Sequence, residues 1–218
     1  MDFDALAGPD FDPSLVDPEV RRFYEQTVGY DMDVWAEWGG LFKSFAWLLI
    51  SLVSRDIQQF NLPLTPLESS RGISSDVLRL ADRLTGEVQY TGWLRQVRAT
   101  GHVLFAGFYT LCRPPGSNGA YVKVVFPLPG GSVTVLLRPE NLPDGSFRLV
   151  SAGRRFGEPG YYRLFRASKE QMRVRYLPLK ESIHVYTDEA GSLRTDHLFY
   201  FWGSRLLSLH YKIAQKPD

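Results

Sequence analysis

From Gly86 to Ile213 the chain is an almost unbroken run of β-strand signal, with Val, Tyr, Phe, Leu and Thr in short segments. The segments are separated by turn chemistry: Thr100-Gly101, Pro129-Gly130-Gly131, Pro143-Asp144-Gly145, Glu158-Pro159-Gly160, Asp188 to Gly191 and Gly203-Ser204. Strands are predicted near 87–98, 102–113, 120–126, 132–138, 146–154, 160–167, 171–178, 181–187, 193–202 and 205–213. Connections this short force antiparallel neighbours. Eight to ten such strands without a long crossover bend most economically into an up-and-down β-barrel. A two-sheet sandwich is the alternative.

The stretch before Gly86 reads differently. Residues 1–16 hold four aspartates and little periodicity, which predicts an acidic arm, mobile or loosely docked. Asp17-Pro18-Glu19 is a helix start, with a carboxylate cap and proline at the first helical position. Leu41 to Val53 is the most apolar segment, with Lys43 its single charge. It is too short for a bilayer, which needs roughly 20 helical residues, so a buried helix is predicted, with peripheral membrane contact as the second reading. Val77 to Leu84 fits a last short helix after Ser74-Ser75-Asp76. The expected organisation is one domain over 1–218, mostly β in an α+β chain: the arm, a helical segment over 17–85 and a barrel over 86–214. Val103 to Cys112 is apolar on both faces, so part of the barrel wall needs a cover. Helix 41–53 is the natural one.

Composition narrows the class. Of 218 residues, 44% are hydrophobic and 22% charged, as in ordinary globular proteins. The single cysteine, Cys112, excludes an internal disulfide, and the acidic N-terminus lacks the basic and apolar regions of a signal peptide. A cytoplasmic protein is expected. Residues 1–85 carry seven Lys/Arg against fourteen Asp/Glu, while the remainder carries eighteen against ten. The two halves are therefore expected to attract each other.

No HExxH, paired CxxC or calcium-loop spacing occurs among His102, His184, His197, His210 and their surroundings, so no metal site is expected. Phosphate-binding GxxxxGK[ST], GxGxxG and the GxSxG elbow are also missing, and no cofactor is expected. A pI near 7.8 with an acidic N-terminal half argues against nucleic acid. Between Arg148 and Lys180, nine Lys/Arg face only Glu158 and Glu170. Arg173 and Arg175 alternate with apolar residues as a basic stripe, and Arg155 beside its turn suits a carboxylate or phosphate at a barrel mouth.

The C-terminal hairpins define a candidate site. A three-residue loop closed by Gly191 sets His184 opposite Asp196 and Tyr186 opposite Arg194. A two-residue Gly203-Ser204 loop then sets Asp196 opposite Tyr211 and Leu198 opposite Leu209. One face would carry His184, Tyr186, Asp196, Leu198, Tyr200, Trp202, Leu209 and Tyr211: an apolar wall with one polar spot. His184, Asp196 and Tyr211 are the weak catalytic candidates, lacking a nucleophile or second carboxylate. A one-residue slip would turn a strand over and dissolve the group.

The expected architecture resembles lipocalin-like barrels, which hold an apolar ligand inside a closed antiparallel sheet. The likeness is architectural. Gly92 and Trp93 are adjacent here, whereas lipocalins separate the two, so no residue role is carried over. The leading expectation is non-catalytic binding of an apolar or amphipathic small molecule, lipid-like, isoprenoid or polyketide-like. The alternatives are an isomerase, cyclase or hydrolase using His184 and Asp196, and a packing module whose barrel is filled by its own side chains.

Overall fold

A computed structural model describes residues 2–39, 73–97, 101 and 103–216. One α-helix is present among these residues, α1 (Pro18–Glu25), with twelve strands. These are β1 (Tyr30–Trp38), β2 (Ile73–Ala81), β3 (Val88–Val97), β4 (Val103–Cys112), β5 (Tyr121–Leu128) and β6 (Gly131–Asn141). The second six are β7 (Phe147–Val150), β8 (Gly160–Arg166), β9 (Met172–Leu177), β10 (Leu179–Thr187), β11 (Leu193–Phe201) and β12 (Ser204–Gln215). All belong to one antiparallel sheet in the order β1-β12-β11-β10-β7-β6-β5-β4-β3-β2, from which β8 and β9 branch at β6. Residues 131–136 of β6 pair with β8 and residues 138–141 with β7. Pro139, which has no N–H to offer a ladder, sits just past that exchange of neighbours.

The sheet is not closed into a barrel. Its edges, β1 and β2, come near each other without ladder pairing, and side chains bridge the gap. Arg95 of β3 donates to Met32 Sδ of β1 at 3.0 Å and lies over the Tyr211 ring of β12. Closure by side chains leaves an open seam where backbone closure was expected.

Both edge strands come from the stretch expected to be helical. In β1 the residues Tyr30, Met32, Val34, Ala36 and Trp38 face the core, while Asp31, Asp33, Trp35 and Glu37 face away. That is a period of two, and it pairs fully with β12. The helical spacing of Val77, Leu80, Ala81 and Leu84 is overridden by pairing of β2 with β3 from Ile73–Val97 to Ala81–Val88. Helix 41–53 lies outside the described residues. No helix among the described residues is long and apolar enough to cross a membrane.

The N-terminal segment is docked rather than loose. Asp17 caps α1 by accepting from Glu19 N at 2.7 Å, as its sequence predicts. Phe3 and Leu6 are fully buried and, with Phe11, Val20 and Phe23, cover one end of the concave face. Phe147 is the anchor there, with the rings of Phe3, Phe11 and Tyr24 at 5.1, 5.4 and 5.0 Å. Asn141 exchanges two 2.9 Å hydrogen bonds with the Asp12 backbone, and Asp17 N donates to Gly145 O. Among the described residues, the ion pairs of this segment run within it: Arg21 with Asp4 and Glu25, and Arg22 with Glu19. Aromatic packing holds it.

Candidate functional site

The core face of the sheet carries a polar layer inside an apolar shell. In β10, Glu181 shares the inward face with Ile183 and Val185; in β11, His197 shares it with Thr195 and Phe199. The Glu181 carboxylate accepts from His197 Nε2 at 2.7 Å, and its charge acts on the Tyr161 hydroxyl of β8. Ser151 fixes the strand itself, donating N–H to Glu181 O and accepting from Glu181 N. Nearby in the same interior, Arg95 is sandwiched between the Trp93 and Tyr211 rings, at 4.5 and 5.2 Å from their centres. Arg95 and Glu181 are each only 6% exposed.

Four tyrosines border this layer and the N-terminal plug. Burial pushes the Tyr161 hydroxyl well above its ordinary pKa, and the Glu181 charge adds to the shift. Burial also raises Tyr211, which Arg95 opposes through charge and a hydrogen bond. Tyr109 is raised mainly by burial, with Arg95 lowering and Glu181 raising it, and Tyr24 is raised by burial. Arg95 and Glu181 therefore act on Tyr109 and Tyr211 with opposite sign. The layer can orient a polar head and move a proton between His197 and Glu181, but it presents no nucleophile. Among the described residues no three His, Cys, Asp or Glu side chains converge in a way that could hold a metal ion. Cys112 is half-buried and its thiol is raised by burial, the opposite of an activated cysteine.

The sequence-derived constellation is split between the two faces. The first hairpin is as predicted: Asp188 pairs with Ser192, Gly191 takes φ 75°, and His184 stands opposite Asp196. The second is not. Its loop is Trp202-Gly203, and a bulge between Phe199 and Tyr200 shifts the register, so Asp196 faces His210 and Tyr211 faces Thr195. Leu209 and Tyr211 point into the core, whereas His184, Tyr186, Asp196, Leu198 and Tyr200 point outward and Trp202 stands exposed at the tip. Arg155 is exposed in its turn and paired with Glu158 at 2.9 Å.

The outward residues form a network of their own. Asp196 accepts from His210 Nδ1 at 2.7 Å and helps to raise the Tyr186 hydroxyl pKa, and His184 stacks on the Tyr186 ring at 4.8 Å. Tyr186, Asp196 and His210, with Trp35, Asp188, Arg194 and the edge of Tyr211, line an open cleft of about 250 Å³. Ser146 Oγ donates to Asp144 at 2.6 Å, so His184 Nε2–H, 2.7 Å away, donates to Ser146. The aspartate thus holds the serine and not the histidine, which is turn-stabilising geometry rather than nucleophile activation.

Burial lowers the His184 pKa, partly offset by Asp144 and Asp196. The neutral ring is favoured in the folded chain, so its stabilising effect is present above the unfolded value of about 6.5 and lost as pH falls through the folded one. The unfolding free energy in urea is expected to fall as pH drops below about 6.5, by at most ~1.4 kcal/mol per pH unit from this residue. In His184→Gln the slope should flatten; an unchanged slope would assign the pH dependence elsewhere.

The comparisons with known proteins add one relative. A protein of Bacillus subtilis (strain 168), described as "Uncharacterized membrane protein YndJ", is 26% identical over 217 residues. The match covers 98% of this chain and 37% of that protein's length. No known protein family matches the chain, and no solved structure does.

Proposed function

We propose that this chain is a non-catalytic binding module whose curved sheet takes an apolar or amphipathic small molecule against its concave face, in the manner of lipocalin-like folds. The observation that supports this most is the Arg95–Glu181 layer, two charges at 6% exposure inside an aromatic shell. Burying charges is costly, and apolar packing of similar volume is often more stable. A polar layer of this kind serves recognition: the apolar surface supplies affinity, and Arg95, Tyr211, Glu181 and His197 orient a head group. Tyr211 and Leu209, two of the residues the sequence points to, belong to this interior.

The test is native mass spectrometry of the purified chain, followed by titration with a fluorescent fatty acid and its methyl ester. Extra mass lost on denaturation is expected. Arg95→Met should weaken the acid by about tenfold or more and the ester by less than about threefold. No bound mass, together with no binding of either probe by the unmutated chain, overturns the reading.

A second reading is favoured by the relative, whose name calls it a membrane protein and of which this chain matches 37%. In that reading the chain is a packing module of a larger membrane-associated protein, its interior filled by its own side chains. Failure of both probes in a stably folded chain supports it.

A further inference from the structure

Antiparallel pairing fixes which turns share an end of the sheet. The β5–β6 turn, the β8–β9 turn at 167–171 and the Trp202-Gly203 turn all lie at the end opposite the N-terminal segment. Arg166 N donates to Gly130 O between the first two, and Trp202 N donates to Pro178 O at the base of the β8–β9 hairpin.

This end is basic and apolar together. The β8–β9 hairpin carries Arg163, Arg166, Lys169, Arg173 and Arg175 against one acid, Glu170. Its register sets Arg163 directly opposite Arg175, a like-charge pair that weakens a ladder. The other face of β9 shows Met172 and Val174, 57% and 43% exposed. At the neighbouring tip Trp202 is 79% exposed and takes φ 47°. That left-handed backbone is an outlier for a bulky residue, and the turn it occupies favours Asn-Gly. Strain at an exposed aromatic points to use of the side chain outside the fold. The opposite end bears Asp4, Asp10, Asp12, Asp17 and Glu19, with Asp4 and Glu19 paired to Arg21 and Arg22.

We propose that the β8–β9 hairpin and the Trp202 tip dock this end of the sheet on an anionic lipid bilayer. The arginines meet headgroup phosphates, and Trp202, Met172 and Val174 enter the interface, where tryptophan is favoured. A nucleic acid would also attract the arginines, but the aliphatic face of β9 and the strained tryptophan fit the bilayer.

The experiment is co-flotation of the full chain with phosphatidylcholine vesicles, with and without phosphatidylglycerol, at low and high salt. Binding is expected only with phosphatidylglycerol and should fall with salt. Arg173→Gln/Arg175→Gln should weaken it roughly 25-fold, taking about 1 kcal/mol for each arginine near the surface. Trp202→Asn should weaken vesicle binding while leaving the hairpin as stable or more so, since Asn relieves the turn. Neither variant touches the interior, so fatty-acid affinity should not change, which separates this proposal from the binding function above. No binding to phosphatidylglycerol vesicles, or equal binding by the double arginine variant, overturns it. So does tighter, arginine-dependent binding to a single-stranded oligonucleotide than to vesicles.

Discussion

Phe147→Ala is expected to lower the free energy of unfolding by about 3–5 kcal/mol, the range for truncating a fully buried aromatic. Phe147 is 0% exposed, and three rings from the N-terminal segment and α1 converge on it within 5.4 Å. Its loss leaves a cavity where β7 meets that segment, which is otherwise bonded to the sheet through Asn141 with Asp12, the turn at Gly145 with Asp17, and Lys216 with Val28 and Gly29. Residues 2–29 should then be cleaved faster by protease than the strands. Leu15→Ala is the control, because Leu15 is 60% exposed and should move stability by less than about 0.5 kcal/mol. High salt should leave the cleavage rate unchanged, since the contacts are aromatic. A Phe147→Ala variant within about 1 kcal/mol of the parent would mean that the segment does not depend on this anchor.

Ten of the twelve strands are legible from their turns. Gly130, Gly145, Gly191 and Gly203 take positive φ where the sequence places breaks, and strand positions follow. β1 was obscured because Tyr30, Val34, Trp35 and Trp38 also suit a helix face, and only its alternating aspartates betray period two. β2 was obscured because an edge strand need not alternate strictly: Leu78 and Leu80 are 53% and 42% exposed. The candidate site was half legible. Asp188 to Gly191 is a turn whose residues suit its backbone, so counting from it succeeds. The Trp202-Gly203 turn asks for a left-handed tryptophan, which no residue preference would select; it moves the pairing by two residues, and the bulge at Phe199 takes one back. One residue of error moves Tyr211 to the other face from Asp196. Arg95 and Glu181 were missed for a different reason. A charge in a strand is normally read as facing water, yet Arg95 shares its parity with Trp93, and Glu181 shares its parity with Ile183 and Val185. A charge in phase with an apolar face is the signal that could have found them.

The same interior predicts a steep alkaline transition. Tyr161 and Tyr211 are 4% and 9% exposed, and burial is the first cause of both raised pKa values. Tyr109 and Tyr24 shift the same way for the same reason. In the unfolded chain these phenols ionise near pH 10, while in the folded chain they stay neutral to higher pH. Above pH 10 the unfolded state therefore holds fewer protons than the folded one, and stability falls as pH rises. The contribution is fully present below about pH 10 and is lost at up to ~1.4 kcal/mol per pH unit for each such tyrosine. Two to four of them acting together exceed the reserve of an ordinary domain, about 5–15 kcal/mol, within a few pH units. Tyrosinate absorbance from these residues should then appear in one cooperative step, together with loss of the β-sheet circular dichroism. Tyr211→Phe and Tyr161→Phe should each make stability fall less steeply with pH, whatever they do at neutral pH, because each removes one titrating phenol. A gradual titration of all eleven tyrosines starting near pH 10, with the sheet signal intact, would show that water reaches the interior layer.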